Sequence, residues 1–329
     1  MEASRELSDG SSGHRIEFEV DWPPGHVAAY LIDGEEPVLV DTGMTGDGAR
    51  EHLLAGLDDA GYELADIEHL VVTHPHVDHV GQVPTVLEAA DPTFWAPATA
   101  RERLRRDVDE LEVEVRENAT AAGLRGQYLE GAVDMSVESL ERDRDLLPVD
   151  AVDHWIEGGE TVTIADWDVR PVHTPGHQAD HLCYLTEVGD ERVLFSGDMA
   201  LSTFRPVAMH DGLADGYTEA IDAYYTALDR LDELSVDRVF TGHDPVHTEF
   251  QAAVEHDRGS LDHLLERTRD SLDPDEGKTA IDVAFERSGD RDIRYLVIET
   301  MSALAKLEAD GEIEGVTDEH GARQFTRSA

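Results

Sequence analysis

Four side chains able to hold a metal ion fall within the run Thr73-His74-Pro75-His76-Val77-Asp78-His79-Val80-Gly81, in the order His-x-His-x-Asp-His. Imidazole and carboxylate are ligands for first-row divalent metals, zinc foremost, with iron and manganese as alternatives. A run this dense on one turn can serve two adjacent metals, His74 and His76 facing one, Asp78 and His79 the other. The competing reading is a histidine-rich surface loop. Even with 17 histidines in the chain, such spacing is rare by accident. The strand-like Leu70-Val71-Val72 leads into the run and a helix-like stretch from Gly81 to Ala90 follows. A loop at a strand's carboxyl end is where open α/β folds place chemistry.

Three later segments extend the constellation. In His173-Thr174-Pro175-Gly176-His177, a β-type run feeds a Pro-Gly turn from which His177 projects. Val193-Leu194-Phe195-Ser196-Gly197-Asp198 is an apolar strand ending in Gly-Asp, where a carboxylate could bridge two metals. Val239-Phe240-Thr241-Gly242-His243 is another strand, ending in Gly-His. Each is weak alone, since an isolated strand-end Gly-Asp is usually a turn. Together, and in this order after the first run, they form a strong signal.

On these residues the chain resembles the metallo-β-lactamase-fold hydrolase superfamily, on the branch that includes glyoxalase II-like and lactonase-like enzymes. Ala29-Tyr30-Leu31-Ile32 and Val38-Leu39-Val40-Asp41-Thr42-Gly43 match the family's opening strands, and the resemblance spans roughly residues 15 to 250. It implies that His74, His76 and His177 hold one metal, that Asp78, His79 and His243 hold a second, and that Asp198 bridges them. No ligand position departs from the pattern. The implied chemistry is attack of a metal-bridging hydroxide on an electrophilic carbonyl, with the metals stabilising the oxyanion and the leaving group. Asp78 and Asp198 are the catalytic candidates, anchoring the metals and steering a proton to the leaving group. Asp41 and Thr73 are candidates for orienting the imidazoles. His173, nearest in sequence to His177, is the alternative ligand. His154, His181, His210 and His247 read as polar or structural.

The resemblance also narrows the substrate. True β-lactamases would carry Cys or another non-carboxylate where Asp198 stands. Oxygen-reducing di-iron relatives replace the second histidine with Glu and add a flavin domain, which His76 and the chain length oppose. Relatives with a large inserted nuclease domain are longer than this chain. The basic cluster with which glyoxalase II holds glutathione is missing. A thioester, lactone or other ester of a small acyl substrate is the expectation. A metal-dependent endoribonuclease and a mono-iron sulfur oxygenase are the alternatives.

The elements that must position these groups read as an α/β fold, the αββα sandwich of two sheet-then-helix halves over residues 15–250. Val27 to Ile32 and Val38 to Asp41 are paired strands, Gly46 to Ala60 a helix and Thr93 to Ala96 a short strand. Residues 98–147 are charged, with Leu104, Val108, Leu111, Val115 and then Met135, Val137 and Leu140 at helical spacing. They read as a helical insertion that either packs on the core or overhangs the metal site. Strands resume over 161–164, 168–172, 181–186 and 192–196. Tyr217 to Leu234 forms an amphipathic helix leading into the strand before His243. Residues 251–329 read as a separate unit: helices over 256–272, 279–287 and 293–309, then a hairpin. Three helices and a wing resemble the winged-helix domain that some members of this superfamily carry, a branch with endoribonuclease activity among them. This unit holds 19 acidic and 10 basic residues, a balance of −9. Acidic Asp290 and Asp292 interleave with Arg287, Arg291 and Arg294, which argues against nucleic-acid binding. A cap over the site or a homodimer contact fits better.

Composition bounds the rest. The 329 residues carry 73 acidic and 26 basic side chains, a net charge of −47. Such a surplus destabilises a compact state by self-repulsion, and near-molar salt, with a Debye length of about 3 Å, removes most of that cost. The apolar share of 40% is enough for a core. The composition is of haloarchaeal type, and net charge then reports the solvent more than the partners. The single Cys183, in an alternating strand pattern, reads as core and fits a reducing cytoplasm. No apolar stretch approaches the ~20 residues that span a membrane. The polar, Gly/Ser-rich residues 1–14 lack an apolar signal core and read as a disordered lead-in.

Overall fold

A computed structural model describes residues 4–6, 12–214, 216–288 and 293–328. A seven-stranded sheet comprises β1 (Ser4–Glu6), β2 (Ser12–Glu19), β3 (His26–Ile32), β4 (Val38–Val40), β5 (His69–Val71), β6 (Thr93–Pro97) and β7 (His154–Ile156), in that spatial order. Its first four strands are antiparallel and the rest run parallel to β4. A five-stranded sheet places β8 (Val162–Ile164), β9 (Trp167–His173), β10 (Leu182–Val188), β11 (Glu191–Gly197) and β12 (Arg238–Thr241) in the order β12-β11-β10-β9-β8. Only β11 and β12 in it are parallel.

The two sheets face one another, and helices cover both outer faces. Ala28, Tyr30, Ile32, Val40 and Val71 of the first sheet pack against Val169, Tyr184, Val193, Phe195 and Phe240 of the second. The alternate side of the first sheet, with Ala29, Leu31 and Leu70, is covered by α1 (Asp47–Ala60) and α3 (Val83–Ala89). The second sheet presents Val172, Leu194 and Val239 to α7 (Ala220–Asp232) and α8 (Phe250–Asp270). Burial on both faces is why the central strands read as continuous apolar runs instead of alternating ones. This is the αββα architecture that the sequence predicts.

Residues 98–147 form α4 (Ala98–Leu104), α5 (Val108–Ala121) and α6 (Gln127–Leu146). Leu111, Val115 and Leu140 are buried as their spacing predicts, but Met135 is exposed; Ala132, Val133 and Leu140 form the buried stripe of α6. That stripe packs on α5, and the two helices share one apolar cluster with the C-terminal unit's α9 (Ala280–Ser288), α10 (Ile293–Ala309) and hairpin of β13 (Ile313–Thr317) and β14 (Arg323–Arg327). The unit also joins the main body through α8, which starts at Phe250, six residues before the expected helix. Phe250, Ala253 and Val254 are buried in the core shared with α7. Residues 251–329 therefore share their hydrophobic cores with the rest of the chain.

The lead-in expected to be disordered over 1–14 departs from that reading at two places: residues 4–6 form β1, paired with β2. Residues 12–14 lie in β2, where Ile16 and Phe18 are buried under α1 and the strand is hydrogen-bonded to β3. Residues 1–3 and 7–11 lie outside the described residues.

Candidate metal centre

The site forms along one edge of the sandwich, where strands of both sheets end. Beyond β5 the chain extends through Thr73 and His74, as the following Pro75 favours, and turns into the short helix α2 (Val77–Val80), which carries Asp78 and His79. Gly242, at the end of β12, brings backbone very close: a Cβ there would lie 2.6 Å from Asp198 Oδ1 and 2.7 Å from His79 Cε1. Gly197 has φ +49°, and a Cβ on it would press on His181 and Thr73. The Gly-Asp and Gly-His strand ends are thus required by space as well as by turning. Two tyrosines stitch the sheets together here. Tyr30 on β3 donates to Thr241 O, and Tyr184 on β10 donates to Val72 O at 2.7 Å. Each sheet therefore fixes a ligand-bearing strand end of the other.

The seven side chains singled out in the sequence converge into two groups. His74, His76, His177 and Asp198 form one; Asp78, His79 and His243 form the other, and within each the donor atoms lie within 4.8 Å of one another. His76 Nδ1 is 3.0 Å from both His74 Nε2 and His177 Nε2. Asp198 turns one oxygen to each group. Its Oδ2 lies 3.1 Å from His177 Nε2, and its Oδ1 lies 3.1 Å from His79 Nε2 and 3.4 Å from His243 Nε2. Asp78 Oδ2 is 3.4 Å from His243 Nε2. A tetrahedral ion with bonds of about 2.0–2.2 Å needs donors roughly 3.4 Å apart, and these separations, from 3.0 to 3.4 Å, reach that value or fall slightly short of it.

The rings are held from behind. Asp41 takes the N–H of Thr73 at 2.8 Å, the Thr73 hydroxyl at 2.8 Å and His79 Nδ1 at 2.9 Å. Thr73 Oγ1 in turn meets His74 Nδ1 at 3.0 Å. His177 Nδ1 donates to Val207 O at 2.9 Å and His243 Nδ1 to His26 O at 2.8 Å. Asp41 and Thr73, proposed as orienting residues, are thus placed against the ligand rings. The carbonyls of Val207 and His26 escaped the sequence because any residue type supplies one. His181 escaped it too: its buried Nε2 accepts the Asp198 N–H at 3.1 Å. Its position one residue before β10 is the only signal. His173 stays out of both groups and bonds to Ala179 O; His154 stacks on Trp95 and His247 bonds to Ala200 O. Cys183 is buried beside Thr174, and burial pushes its thiol up to about 12.

The electrostatics match a cation site. Burial pulls His74 and His76 well below their ordinary imidazole values, and neighbouring rings add to it; neutral imidazole is the form that donates a lone pair. Burial acts the same way on His79, but the carboxylates of Asp198 and Asp41 outweigh it and hold that ring well above its ordinary value. Burial would raise the Asp198 carboxyl, but His243, His79 and His177 keep it well below the usual carboxylate range. His79 Nε2 and Asp198 Oδ1 are buried without a hydrogen-bond partner. A site that would otherwise hold protons between these atoms fits a divalent ion that replaces them.

The surroundings bear on the sequence readings of the insertion and the C-terminal unit. Arg103 on α4 bonds to Asp180 at 2.6 Å and to Asp143 on α6 at 3.2 Å, and α6 touches α2. The insertion thus both packs on the core and reaches the metal loop. Arg287 is drawn inward to Glu299 at 3.0 Å. Arg291 and the side chain of Arg294 lie outside the described residues. Among those residues no helix is long and apolar enough to cross a membrane.

Comparison with known proteins agrees with this geometry. The family described as the metallo-beta-lactamase superfamily matches residues 22–243. The probable metallo-hydrolase YqjP of Bacillus subtilis is 24% identical over 306 residues, covering 88% of this chain and 90% of that protein. An atrochrysone carboxyl ACP thioesterase of a Cryptosporiopsis species is 23% identical over 244 residues, covering 74% and 56%. The crystal structure of a metallo-beta-lactamase family protein from Thermus thermophilus superposes with a TM-score of 0.76 at 21% identity, over 96% of this chain and 98% of that one.

Proposed function

The chain belongs to the metallo-beta-lactamase superfamily, and from that premise we propose that it is a dinuclear hydrolase of a small acyl substrate: a thioester, lactone or ester. The observation that carries the reading is Asp198, one carboxylate with an oxygen directed at each donor group. His74, His76 and His177 would hold one ion, Asp78, His79 and His243 the other, with Asp198 shared. Nitrogen and oxygen donors in this proportion favour zinc, and iron or manganese suit the same set. When bound, such ions supply ionisation of water near neutral pH and polarisation of a carbonyl. The chain's own part is positional. His181 fixes the backbone of Asp198, Asp41 fixes His79, and the carbonyls of Val207 and His26 stop the rings of His177 and His243 from turning. On this reading Asp78 and Asp198 anchor the ions and steer a proton to the leaving group. The likeness to a protein named a thioesterase supports the acyl class.

A mono-iron oxygenase would leave the group of Asp78, His79 and His243 without a role. An endoribonuclease would need cations facing a cleft, whereas Arg287 is spent on Glu299. We read residues 251–329 as a winged-helix-like unit that braces the catalytic domain and offers a surface for a homodimer. We read the charge of −47 as adaptation to a salt-rich, reducing cytoplasm.

The test is hydrolysis of a thioester, a lactone, an aryl ester and a structured RNA in molar KCl with added zinc or manganese. Acyl turnover is expected, falling at least ~100-fold in Asp198→Ala, since even an orienting partner of a ligand is worth about 10–100-fold. RNA cleavage alone, equally lost in the variant, would overturn the acyl reading. Two metal ions per chain are expected; one iron would favour the oxygenase.

A further inference from the structure

The segment between Asp198 and α7 leaves the bridging carboxylate, crosses the surface of the second sheet and returns to the metal site. Residues 204–209 have no helix or strand to fix them. Yet this stretch holds ligand His177 at several points. Val207 O accepts from the His177 ring at 2.9 Å, and the N–H groups of Met209 and His210 donate to His177 O at 3.1 and 3.0 Å.

What fixes the stretch comes from α10. Glu299 Oε1 accepts from the Ala208 N–H at 3.1 Å and from Arg205 Nη2 at 2.7 Å, while its Oε2 accepts from Arg287 Nη2 at 3.0 Å. Arg205 closes the turn by donating to Pro206 O at 2.6 Å. The Glu299 side chain is only 4% exposed. Burial works to raise its carboxyl, but Arg205 and Arg287 overcome that and hold it below the usual carboxylate range. Two guanidiniums and one backbone amide thus converge on one ionised carboxylate, a single residue away from the carbonyl that orients His177. A buried charge with every partner satisfied is a stiff anchor, and its loss is felt where it is attached.

We propose that Glu299 is a positioning residue for the metal centre: through Ala208 and Arg205 it sets the Val207 carbonyl, and through that carbonyl the ring of His177. The C-terminal unit is then part of the metal site's supporting structure. The inference rests on the reading of His177 as a ligand.

The experiment measures zinc affinity by competition with a chromophoric chelator, and metal content per chain, in wild type, His177→Ala, Glu299→Ala, Glu299→Gln and Leu304→Ala. Leu304 is fully buried in an apolar cluster on the same helix and its side chain can make no hydrogen bond to these groups, so it controls for lost stability alone. Glu299→Ala is expected to weaken about 10–100-fold the same ion that His177→Ala loses, leaving the other ion bound. Glu299→Gln keeps an oxygen for the Ala208 N–H and is expected to weaken that ion by a smaller factor, about threefold or more. Leu304→Ala should lower Tm and leave both affinities unchanged. Wild-type affinity in both Glu299 variants, with His177→Ala losing an ion, overturns the inference; if Glu299→Ala does not fold, Glu299→Gln alone decides. An equal loss in Leu304→Ala also overturns it. Undiminished binding in His177→Ala would instead overturn the ligand reading, and the inference with it.

Discussion

At the scale of single residues, one buried acid among the described residues stands out by how weakly its charge is held. Asp257 on α8 is fully buried, and neither carboxylate oxygen has a hydrogen-bond partner. Burial pushes its carboxyl up to about 8, with Arg205 pulling the other way. In the unfolded chain the same group titrates near 3.9. Between these values the native state holds a proton that the unfolded state lacks. This contribution to stability is therefore complete below pH ~4, falls by at most about 1.4 kcal/mol per pH unit up to pH ~8, and is level above that. Asp257→Asn should flatten this slope. Urea unfolding of both proteins between pH 5 and 9 in molar KCl checks it, and parallel slopes would refute it. Asp257 also marks a limit of reading by pattern. Its helical position predicts burial of that face, but no local spacing says that a carboxylate there lacks a partner. The seven ligand candidates were legible because they sit in four short signatures, four of them in one run. Glu299 lies about 120 residues from His177 and acts through backbone groups, which leave no trace in side-chain type.

At the scale of elements, the insertion is tied to the half that carries candidate ligand His177 by one buried cation. Arg103 joins α4 to Asp143 on α6 and to Asp180, three residues beyond His177. Removing it strands the almost fully buried Asp180 and leaves Asp143 only its neighbour Arg142. Breaking a buried pair from one side costs about 3–5 kcal/mol, and Arg103→Met should lose that much in denaturant unfolding. Arg103→Met/Asp180→Leu should recover part of it. If the single variant is as stable as wild type, the insertion is held by its apolar stripe alone. The elements were otherwise largely legible, because both sheets are covered on both sides and their strands read as apolar runs. The short β7, and β1 and β2, were not. β7 is three residues long, and His154 in it gains its place from stacking on Trp95. In β2 the alternation of Ile16 and Phe18 is short and follows a polar Gly/Ser-rich stretch, so composition hides it. The early start of α8 has a similar cause: Phe250, Ala253 and Val254 look like a loop's scattered apolar residues until α7 is beside them.

At the scale of the whole molecule, the arrangement of cations sharpens the charge argument. Arg103, Arg205 and Arg287 all pair with carboxylates in positions largely closed to water. Basic side chains spent on internal pairs leave the outer surface even more acidic than the ratio of 73 to 26 conveys. Self-repulsion of that surface opposes the compact state, while the internal pairs, shielded from solvent, respond little to salt. The two effects therefore separate under titration with KCl. If repulsion governs stability, most of the gain should arrive as the Debye length contracts from about 10 Å at 0.1 M to about 3 Å at 1 M, and then level off. Relief of about 7 kcal/mol corresponds to about 10 °C in Tm for a chain of this size. Stabilisation by exclusion of salt from the surface would instead keep rising in proportion to concentration. A thermal-unfolding series from 0.1 to 3 M KCl, with metal loading held constant, distinguishes the two. A rise of about 10 °C or more that is largely complete by ~1 M is expected. A Tm indifferent to salt would show that the internal pairs and the four shared cores already carry the fold against its own charge.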